Sequence, residues 1–404
     1  MDGGVNWTQG ELPNITSQQL VSSRFERVSD PSVAYDAAHD VWLVSSLPIT
    51  AGLASRRVYV SRSTDGGVTF GDPITVATGR PGQDFDKNWT ACDTDPASPF
   101  YGHCYTLFDD FGRGGTLKAS TSTDGGLTWG PVRNTADRAS GFGVQPVVQP
   151  SGNVIVPAID ARAARIIAYG STDGGTTWTA PAKVASLIQH RPAAHLRFGG
   201  LPTAEVDAGG KVYVAWPDCR FRPGCRGNDI VMSTSRDGAL WRSPERVPIG
   251  PRLRGDHFIP GIGVKPSTRG AHARIGLTSY SYGKAACGSS CALKVRYVQS
   301  NDGGATWSAP TTLAGPFSPT LIANTNQGRM VGDYISTSWL GSKAFGAFAV
   351  GQPPTNGDSF DEAIFVPAGG LNLTGSFTES IPGERVVTGR DSPHHARPRW
   401  RVWR

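Results

Sequence analysis

Several predicted loops of this chain carry the side chains that hydrolytic or lytic chemistry requires. Carboxyl groups transfer protons, a guanidinium holds an anionic group through two parallel hydrogen bonds, and a tyrosine or histidine serves as nucleophile or base. A set of such residues that converges from several elements is a better candidate than any member alone, because single polar loop residues are usually solvated or salt-bridged. The candidates are Tyr334, Asp86 and Asp109 as catalytic groups, and Arg27, Arg220, Arg162, His257 and Asp333 as substrate-binding groups.

The most frequent motif in the chain is a turn sequence. It reads STDGGVTF at 63–70, STDGGLTW at 122–129, STDGGTTW at 171–178 and SNDGGATW at 300–307, with a shortened copy at 235–241 and a headless copy at 2–7. Asp-Gly and Gly-Gly supply the positive φ of a tight turn, and the Asp carboxylate accepts hydrogen bonds from its own turn. Six copies of one catalytic acid would be superfluous. We therefore predict structural turns, each closed by a Trp or Phe that packs between neighbouring sheets.

The spacing of this motif predicts the fold. Its aspartates recur every 49 to 65 residues, which is typical of a propeller or another repeat array. Groups of three strands start near residues 31, 88, 143, 201, 258 and 330, and an outer strand follows each turn. The last group has no outer strand of its own, and the strand near residues 7–15 has no group before it. We therefore predict an all-β, six-bladed β-propeller with four-stranded antiparallel blades, in which this N-terminal strand closes the ring.

Composition and charge exclude several classes of protein. The chain has 404 residues with 51 Gly and 30 Pro, which does not suit a helical bundle, and no apolar run approaches the ~18 residues of a membrane helix. The net charge of +6 comes mostly from residues 385–404, which hold six Arg and one Asp; the rest has 33 basic and 32 acidic residues. A body this close to neutral gives no reason to expect nucleic acid. We predict a propeller over 1–374 and a basic, disordered tail over 375–404.

Six cysteines fall into three close pairs, Cys92/Cys104, Cys219/Cys225 and Cys287/Cys291. The pairs lie far apart along the chain, so local disulfides are a simpler interpretation than one metal site, and they indicate an oxidising, exported setting. The chain opens directly with MDGGVNW, and we expect a secreted protein whose leader is absent from this chain. We predict a monomer without a cofactor, leaving open only a structural Ca²⁺.

The repeated turn resembles the Asp box, S-x-D-x-G-x-x-W, of the sialidase superfamily. The resemblance covers roughly residues 2–367 and is specific for the fold, since Asp boxes occur in propellers of several functions. In sialidase-like propellers the substrate funnel lies on the rim opposite the Asp boxes. The rim that the resemblance implies here is formed by the linkers that enter each blade and by the loops between second and third strands.

The resemblance also implies roles for single residues. Sialidases hold the substrate carboxylate with three Arg and use a Tyr nucleophile activated by a Glu, together with an acid/base Asp. Arg220 in VYVAWPDCR matches the second Arg, and Tyr334 in VGDYIST matches the nucleophile. Arg27 lies where the first Arg of the family is expected, but the Arg-Ile-Pro motif that surrounds it in sialidases is absent here. The third Arg has no clear counterpart in this chain. The loop at 45–57, where the acid/base Asp is expected, contains no carboxylate, and Glu205 lies nearer its hairpin than the helper Glu should.

Three functions therefore stay open at the level of sequence, and each has its own signature. The first is a glycoside hydrolase that acts on terminal sialic or other acidic sugars, which a clustered carboxylate pair would favour. The second is a non-catalytic propeller that binds glycan or protein, which charges already paired within the protein would favour. The third is a polysaccharide lyase, which a cluster of Tyr334, His195 or His257 with Arg220 would favour.

Overall fold

The computed structural model describes residues 10–250, 254–354 and 359–372 and the backbone of 377–380. The chain forms the six antiparallel blades of a β-propeller. The described residues contain no α-helix and no helix that is long and apolar enough to cross a membrane. Their helical turns are five short 3-10 helices: Phe111–Arg113, Pro223–Cys225, Gly270–His272, Gly288–Ser290 and Pro319–Leu321.

The described residues divide into two compact units, and three blades belong to each. The first unit comprises those within Thr8–Ser186 and Arg236–Trp241. Blade 1 consists of β1 (Phe25–Asp36), β2 (Val41–Thr50), β3 (Arg57–Ser63) and β4 (Ile74–Thr78). Blade 2 consists of β5 (Phe85–Cys92), β6 (Cys104–Asp110), β7 (Thr116–Ser122) and β8 (Arg133–Asn134). Blade 3 consists of β9 (Gly141–Phe142), β10 (Val147–Val148), β11 (Val154–Asp160), β12 (Arg165–Ser171) and β13 (Ala182–Ser186).

The second unit comprises the described residues within Leu187–Ser235 and Arg242–Ala396. Blade 4 consists of β14 (Thr203–Val206), β15 (Val212–Asp218), β16 (Asp229–Ser235) and β17 (Glu245–Val247). Blade 5 consists of β18 (Asp256–Val264), β19 (Ile275–Tyr282), β20 (Leu293–Ser300) and, after the short β21 (Thr306–Ser308), β22 (Thr311–Phe317). After a small hairpin of β23 (Asn324–Thr325) and β24 (Gly328–Arg329), blade 6 consists of β25 (Ser336–Leu340), β26 (Lys343–Gln352) and β27 (Asp361–Phe365).

The repeated aspartates form the predicted turns. In the turn of blade 3, Asp173 accepts hydrogen bonds from the Ser171 hydroxyl (2.8 Å) and from the backbone N–H of Thr177 (2.9 Å). In blade 1, hydrogen bonds from Thr69 hold the pKa of the Asp65 carboxyl below its usual value. Trp178, which closes its turn, is buried edge-on against Tyr105 of blade 2 and Tyr169 of blade 3. The turn therefore fixes the hairpin and also places a large side chain between two sheets.

A residue with positive φ lies at the entry to every blade. The six residues are Asp30 (φ 49°), Lys87 (53°), Gly143 (71°), Gly200 (64°), Ile259 (51°) and Gly332 (102°). In β1, β5 and β18 this residue interrupts the register with the neighbouring strand, as a β-bulge does. Bulges bend a strand and change the direction of its side chains, and they are frequent beside active sites. A left-handed conformation costs a residue other than glycine about 1–2 kcal/mol, so its presence at Asp30, Lys87 and Ile259 requires support from the surroundings.

We expect replacement of Gly332 with alanine to lower the free energy of unfolding by about 1–2 kcal/mol. The φ of Gly332 is one that side-chain-bearing residues rarely adopt, and an added Cβ would lie 3.2 Å from the backbone oxygen of Tyr334. Gly283→Ala is the matched control, because a Cβ there meets no atom within 4 Å and the residue has no positive φ. Urea denaturation of both variants measures the difference, and equal losses would contradict the assignment of strain to Gly332.

The three predicted disulfides are confirmed. Cys92–Cys104, Cys219–Cys225 and Cys287–Cys291 are bonded, with Cα–Cα separations of 4.0, 4.9 and 4.8 Å. The first joins β5 to β6 within blade 2, and the other two close loops in blades 4 and 5. Each bond closes a short loop, so it stiffens its own blade and does not tie distant parts of the chain together.

The structure differs from the prediction near both ends of the chain. Residues 10–15, the described part of the predicted closing strand, form no strand: 10–12 are irregular, 13 and 14 form a turn and 15 is a bend; residues 7–9 lie outside the described residues. Pro13 has no N–H to donate to a sheet and Asn14 has a φ of 56°, which explains why this segment is not extended. Ile15 instead packs against Phe25 and Tyr59 of blade 1, and blade 6 has three described strands.

The predicted disordered tail begins with an ordered backbone segment. Its residues 377–380 form β28 (Phe377–Ser380), which pairs with β21 of blade 5. The domain boundary and the disorder of the tail stay predictions. Residues 381–404, which include the arginine-rich end, lie outside the described residues.

Candidate functional site

A carboxyl cluster forms where the bulges of β1 and β5 meet in the first unit. The Asp30 carboxylate accepts a hydrogen bond from the backbone N–H of Lys87 (3.1 Å), and the Lys87 ammonium lies 3.5 Å from Asp30 and 3.7 Å from Asp86. Both carboxyl groups are therefore neighbours of the same ammonium group. Asp109 on β6 is the direct cross-strand neighbour of Asp86. The structure thus brings together both predicted catalytic carboxylates and adds Asp30 and Lys87.

The three carboxyl groups differ in their exposure to solvent. The Asp86 side chain is 40% exposed, whereas that of Asp30 is 7% exposed and Asp109 is fully buried. Among the described residues, neither carboxyl oxygen of Asp109 has a hydrogen-bond partner. Asp86 is therefore the member of the cluster that meets solvent, and the burial of Asp109 argues against its predicted contact with substrate.

The electrostatics of the cluster favour a protonated Asp86 near neutral pH. Desolvation raises the pKa of Asp86 to about 7; the nearby Lys87 charge opposes this shift, and the charge of Asp30 reinforces it. A neighbouring carboxylate charge favours protonation of a carboxyl group. Burial is the largest cause that holds the pKa of Asp109 well above its usual value. Within the cluster the Asp30 charge therefore favours protonation of Asp86, and the Lys87 charge opposes it.

Two predicted substrate-binding residues of the first unit are exposed. Arg27 lies on β1, three residues before Asp30, and Arg162 lies in the turn between β11 and β12. The structure shows no ion pair for either guanidinium among the described residues. Both arginines are accessible, and their contact with substrate stays a prediction.

Arg220, in contrast, already holds a carboxylate of its own protein. Its guanidinium donates from Nε and Nη2 to the two oxygens of Asp218 (3.0 and 2.8 Å) and lies 5.8 Å from the ring centre of Trp216. The Asp218 carboxylate is fully buried, and the Arg220 side chain is only 10% exposed. This pairing argues against the predicted role of Arg220 as the anchor of a substrate carboxylate.

Asp333 and Tyr334 are neighbours with different surroundings. Asp333 is buried and accepts two parallel hydrogen bonds from Arg197 (2.9 and 2.6 Å), so it anchors a loop residue of the second unit. This ion pair argues against the predicted binding of substrate by Asp333. Tyr334 is half-buried, with a buried hydroxyl. Its role as nucleophile stays a prediction.

His257 does not reach solvent. Its ring is enclosed in β18, and neither ring nitrogen has a hydrogen-bond partner among the described residues. The pKa of His257 is lowered to about 3: burial is the largest cause, the charges of Arg222 and Arg246 contribute, and the charge of Asp229 opposes them. The imidazole is therefore neutral at physiological pH, and its burial argues against the predicted contact with substrate.

A second histidine in this unit is oriented by buried partners. The Nδ1 atom of His190 lies 2.9 Å from the carboxylate of Asp256, which also accepts hydrogen bonds from the backbone and side chain of Asn228. The Asn228 side chain in turn bonds the backbone N–H and C=O of His190. The imidazole is 28% exposed and held in one orientation, as a general base requires. Sequence alone gives no reason to pair His190 with a residue 66 positions away.

No group of three or more His, Cys, Asp or Glu side chains within the described residues is arranged to hold a metal ion. The carboxyl cluster itself contains Lys87, whose positive charge opposes the binding of a cation. The absence of a cofactor stays a prediction.

Comparison with known proteins identifies the fold. No protein-family model and no curated protein matches the chain. Among solved structures, the Hadza microbial sialidase Hz136 aligns at a TM-score of 0.51 and 14% identity over 81% of this chain. A mutant of the NanB sialidase from Streptococcus pneumoniae aligns at 0.50 and 11% identity over 80% of this chain. The chain has a sialidase-like propeller fold. It spans 63% and 65% of the length of those two chains. Sequence identities this low are evidence of a shared fold and not of a shared activity.

Proposed function

We propose that this protein is a glycoside hydrolase that acts on terminal, acidic sugars of extracellular glycans, with Asp86 as its general acid. The observation that supports this proposal is the Asp30–Asp86 pair, which presents a solvent-facing carboxylic acid whose pKa is about 7. Asp86 is partly exposed, so a glycosidic oxygen can reach it, and it holds a proton near neutral pH. The three disulfides suit an oxidising, extracellular setting.

In the proposed step, Asp86 donates its proton to the glycosidic oxygen as the bond between that oxygen and the anomeric carbon breaks. The leaving sugar departs as a neutral alcohol, and the carboxylate left at Asp86 is stabilised by the Lys87 ammonium 3.7 Å away. A deprotonated nucleophile bonds to the anomeric carbon as the glycosidic oxygen leaves. A water molecule later attacks the same carbon and displaces the nucleophile, and Asp86 accepts one of the water's protons while the remaining hydroxyl stays on the sugar.

Asp30 is the positioning partner of the acid in this proposal. The Asp30 side chain is only 7% exposed and its carboxylate already contacts Lys87, so we do not propose Asp30 as the nucleophile. Tyr334, to which the resemblance to sialidases gives that role, belongs to the second unit, and its role stays a prediction.

A screen of fluorogenic glycosides tests the proposed function. The panel contains 4-methylumbelliferyl derivatives of sialic acid, of uronic acids and of neutral sugars, and the measurement is the release of fluorophore. We expect turnover of an acidic glycoside by the wild-type protein, loss of turnover in Asp86→Asn, and wild-type turnover in Glu245→Gln, which changes an exposed carboxylate of blade 4. Release that is unaffected in Asp86→Asn would contradict the proposal.

One observation favours a binding propeller as the second candidate. The Arg220 guanidinium, which the resemblance assigns to the substrate carboxylate, is already paired with Asp218. A glycan array run beside the fluorogenic screen separates the two candidates. Specific retention of a glycan with no release of any sugar would support binding without catalysis.

A further inference from the structure

An open, positively charged pocket lies on the second unit, and its lining includes no residue of the proposed mechanism. It has a volume of about 530 Å³ and is lined by Lys265, Arg269, His272, Arg274 and Asn301, with two hydroxyl side chains, Ser267 and Thr268. Most of these residues belong to the loop between β18 and β19, and Asn301 belongs to the aspartate turn that follows β20. The first-to-second strand loop and this turn lie at the same end of blade 5, so the pocket is on the rim of the aspartate turns.

The loop that forms the pocket is held by hydrogen bonds from its own residues and from blade 4. The Thr268 hydroxyl donates to the Lys265 oxygen (2.7 Å) and accepts from the Arg274 backbone N–H (3.0 Å). The buried Asp207 carboxylate accepts from the Gly270 N–H (2.8 Å), and the Gly303 N–H donates to the Ala273 oxygen (3.0 Å). The backbone that carries the four basic side chains is therefore anchored at both ends and in its middle.

The charges of the pocket are not neutralised within the protein. The described residues include no ion-pair partner for Lys265, Arg269 or Arg274, and no carboxylate lines the pocket. Two aspartates near the pocket are engaged with backbone groups: Asp207 accepts a hydrogen bond from the loop at Gly270, and Asp302 accepts one from its own turn at Thr306. Like charges placed together without a counter-charge repel one another, so an anionic ligand would relieve this repulsion.

The Asn301 carboxamide is an uncharged polar group in the lining of the pocket. Its oxygen is buried and has no hydrogen-bond partner among the described residues. Burial of an unmatched polar atom costs roughly 1–3 kcal/mol. The corresponding residue is Thr in the turns of blades 1 to 3, so the amide is particular to this turn.

We propose that this pocket binds a sulfated saccharide. A sulfate group presents three acceptor oxygens to the basic side chains, and the hydroxyls of a sugar match Ser267, Thr268 and the Asn301 amide. The lining contains no Phe, Tyr or Trp on which a nucleobase would stack and no Leu, Ile, Val or Met to receive an acyl chain. The site would hold the protein on a sulfated glycan independently of any hydrolysis at Asp86.

Calorimetric titration with a chondroitin 6-sulfate tetrasaccharide tests this proposal. We expect Arg269→Ala/Arg274→Ala to weaken binding by at least tenfold, since each arginine supplies a charge-assisted hydrogen bond. The matched control is Arg133→Ala/Lys183→Ala, which removes the same charge from exposed strand residues of the first unit and should change Kd by less than twofold. The six arginines of residues 385–404 are present in both variants, so their contribution cancels in the comparison.

Two further ligands identify the group that is recognised. The desulfated tetrasaccharide, which keeps its uronate carboxylates, should bind at least tenfold more weakly than the sulfated one. A DNA duplex of equal charge should not compete with the tetrasaccharide. Equal weakening in the control and pocket variants, retention of affinity without sulfate, or full competition by DNA would each overturn the proposal. Unchanged thermal midpoints of both variants would show that these effects are not a consequence of unfolding.

Discussion

Replacement of Asp229 with asparagine is expected to lower the free energy of unfolding by about 3–5 kcal/mol. Asp229 is buried between two arginines, and its carboxylate accepts hydrogen bonds from Nε of Arg222 (2.7 Å) and from Nε of Arg246 (3.0 Å). An amide at this position keeps the shape of the side chain but removes the negative charge. Two buried guanidinium groups would then face each other without compensation.

The same triad predicts how stability depends on acidity. Burial alone would raise the pKa of Asp229, but the hydrogen bond from Arg222 and the charge of Arg246 outweigh burial, and the pKa is lowered. A carboxyl whose pKa is lower in the folded than in the unfolded protein stabilises the fold above its unfolded pKa, and this contribution is lost as pH falls through the folded value. The wild-type protein should therefore lose stability below about pH 4, and Asp229→Asn should lack this part of the dependence.

Urea denaturation at several pH values measures both effects. Arg165→Gln provides the control, because it removes an exposed pair in which the Arg165 Nε lies 3.6 Å from Asp160. Exposed pairs contribute about 0–1 kcal/mol, so this variant should unfold almost as the wild type does. A loss for Asp229→Asn no larger than that of the control would show that the buried triad is not a source of stability.

The second large effect that we expect is in the pH dependence of the rate of glycoside hydrolysis. If Asp86 is the general acid, its proton must be present, so the rate should fall as pH rises through about 7. Asp86→Asn removes the donor and should lower kcat by about 10²–10⁴-fold. Asp30→Asn should retain activity and move the upper limb of the profile to lower pH, because the Asp30 charge that raises the pKa of Asp86 is removed while Lys87 remains.

The Asp30→Asn variant suits this measurement for a structural reason. Asp30 has a φ of 49°, and asparagine tolerates this left-handed conformation better than most residues. The variant should therefore keep the bulge and change mainly the charge. An unshifted profile in Asp30→Asn, or a shift to higher pH, would contradict the assignment of Asp30 as the partner of the acid.

The sequence predicts those parts of the protein in which chemistry is local. The aspartate turns and the disulfides depend on residues a few positions apart, and both have the predicted geometry. The importance of Asp30 and Lys87 depends instead on two bulges with positive φ, which neither residue type reveals. His257 illustrates the same limit, because all nine residues of β18 are buried and no alternation of polar and apolar residues marks its direction.

Arg220 shows a different kind of error. Its match to the sialidase pattern rests on the end of the strand sequence, and the same segment contains Asp218 two residues earlier. In the structure this aspartate binds both the backbone N–H and the guanidinium of Arg220. A local pairing of this kind is compatible with the sequence but is not required by it, so the competing interpretations can be separated only by geometry.

The bond between the Lys87 N–H and the Asp30 carboxylate has a consequence for the modularity of this repeat protein. Blades 3, 4 and 6 use glycine at the left-handed entry position and need no help from a neighbouring blade to adopt it. Blade 2 uses lysine there, and the stabilising carboxylate comes from blade 1. A chimaera that exchanges whole blades would therefore have to move blades 1 and 2 as one cassette, whereas the glycine-bearing blades are the natural places for shuffling, duplication or redesign.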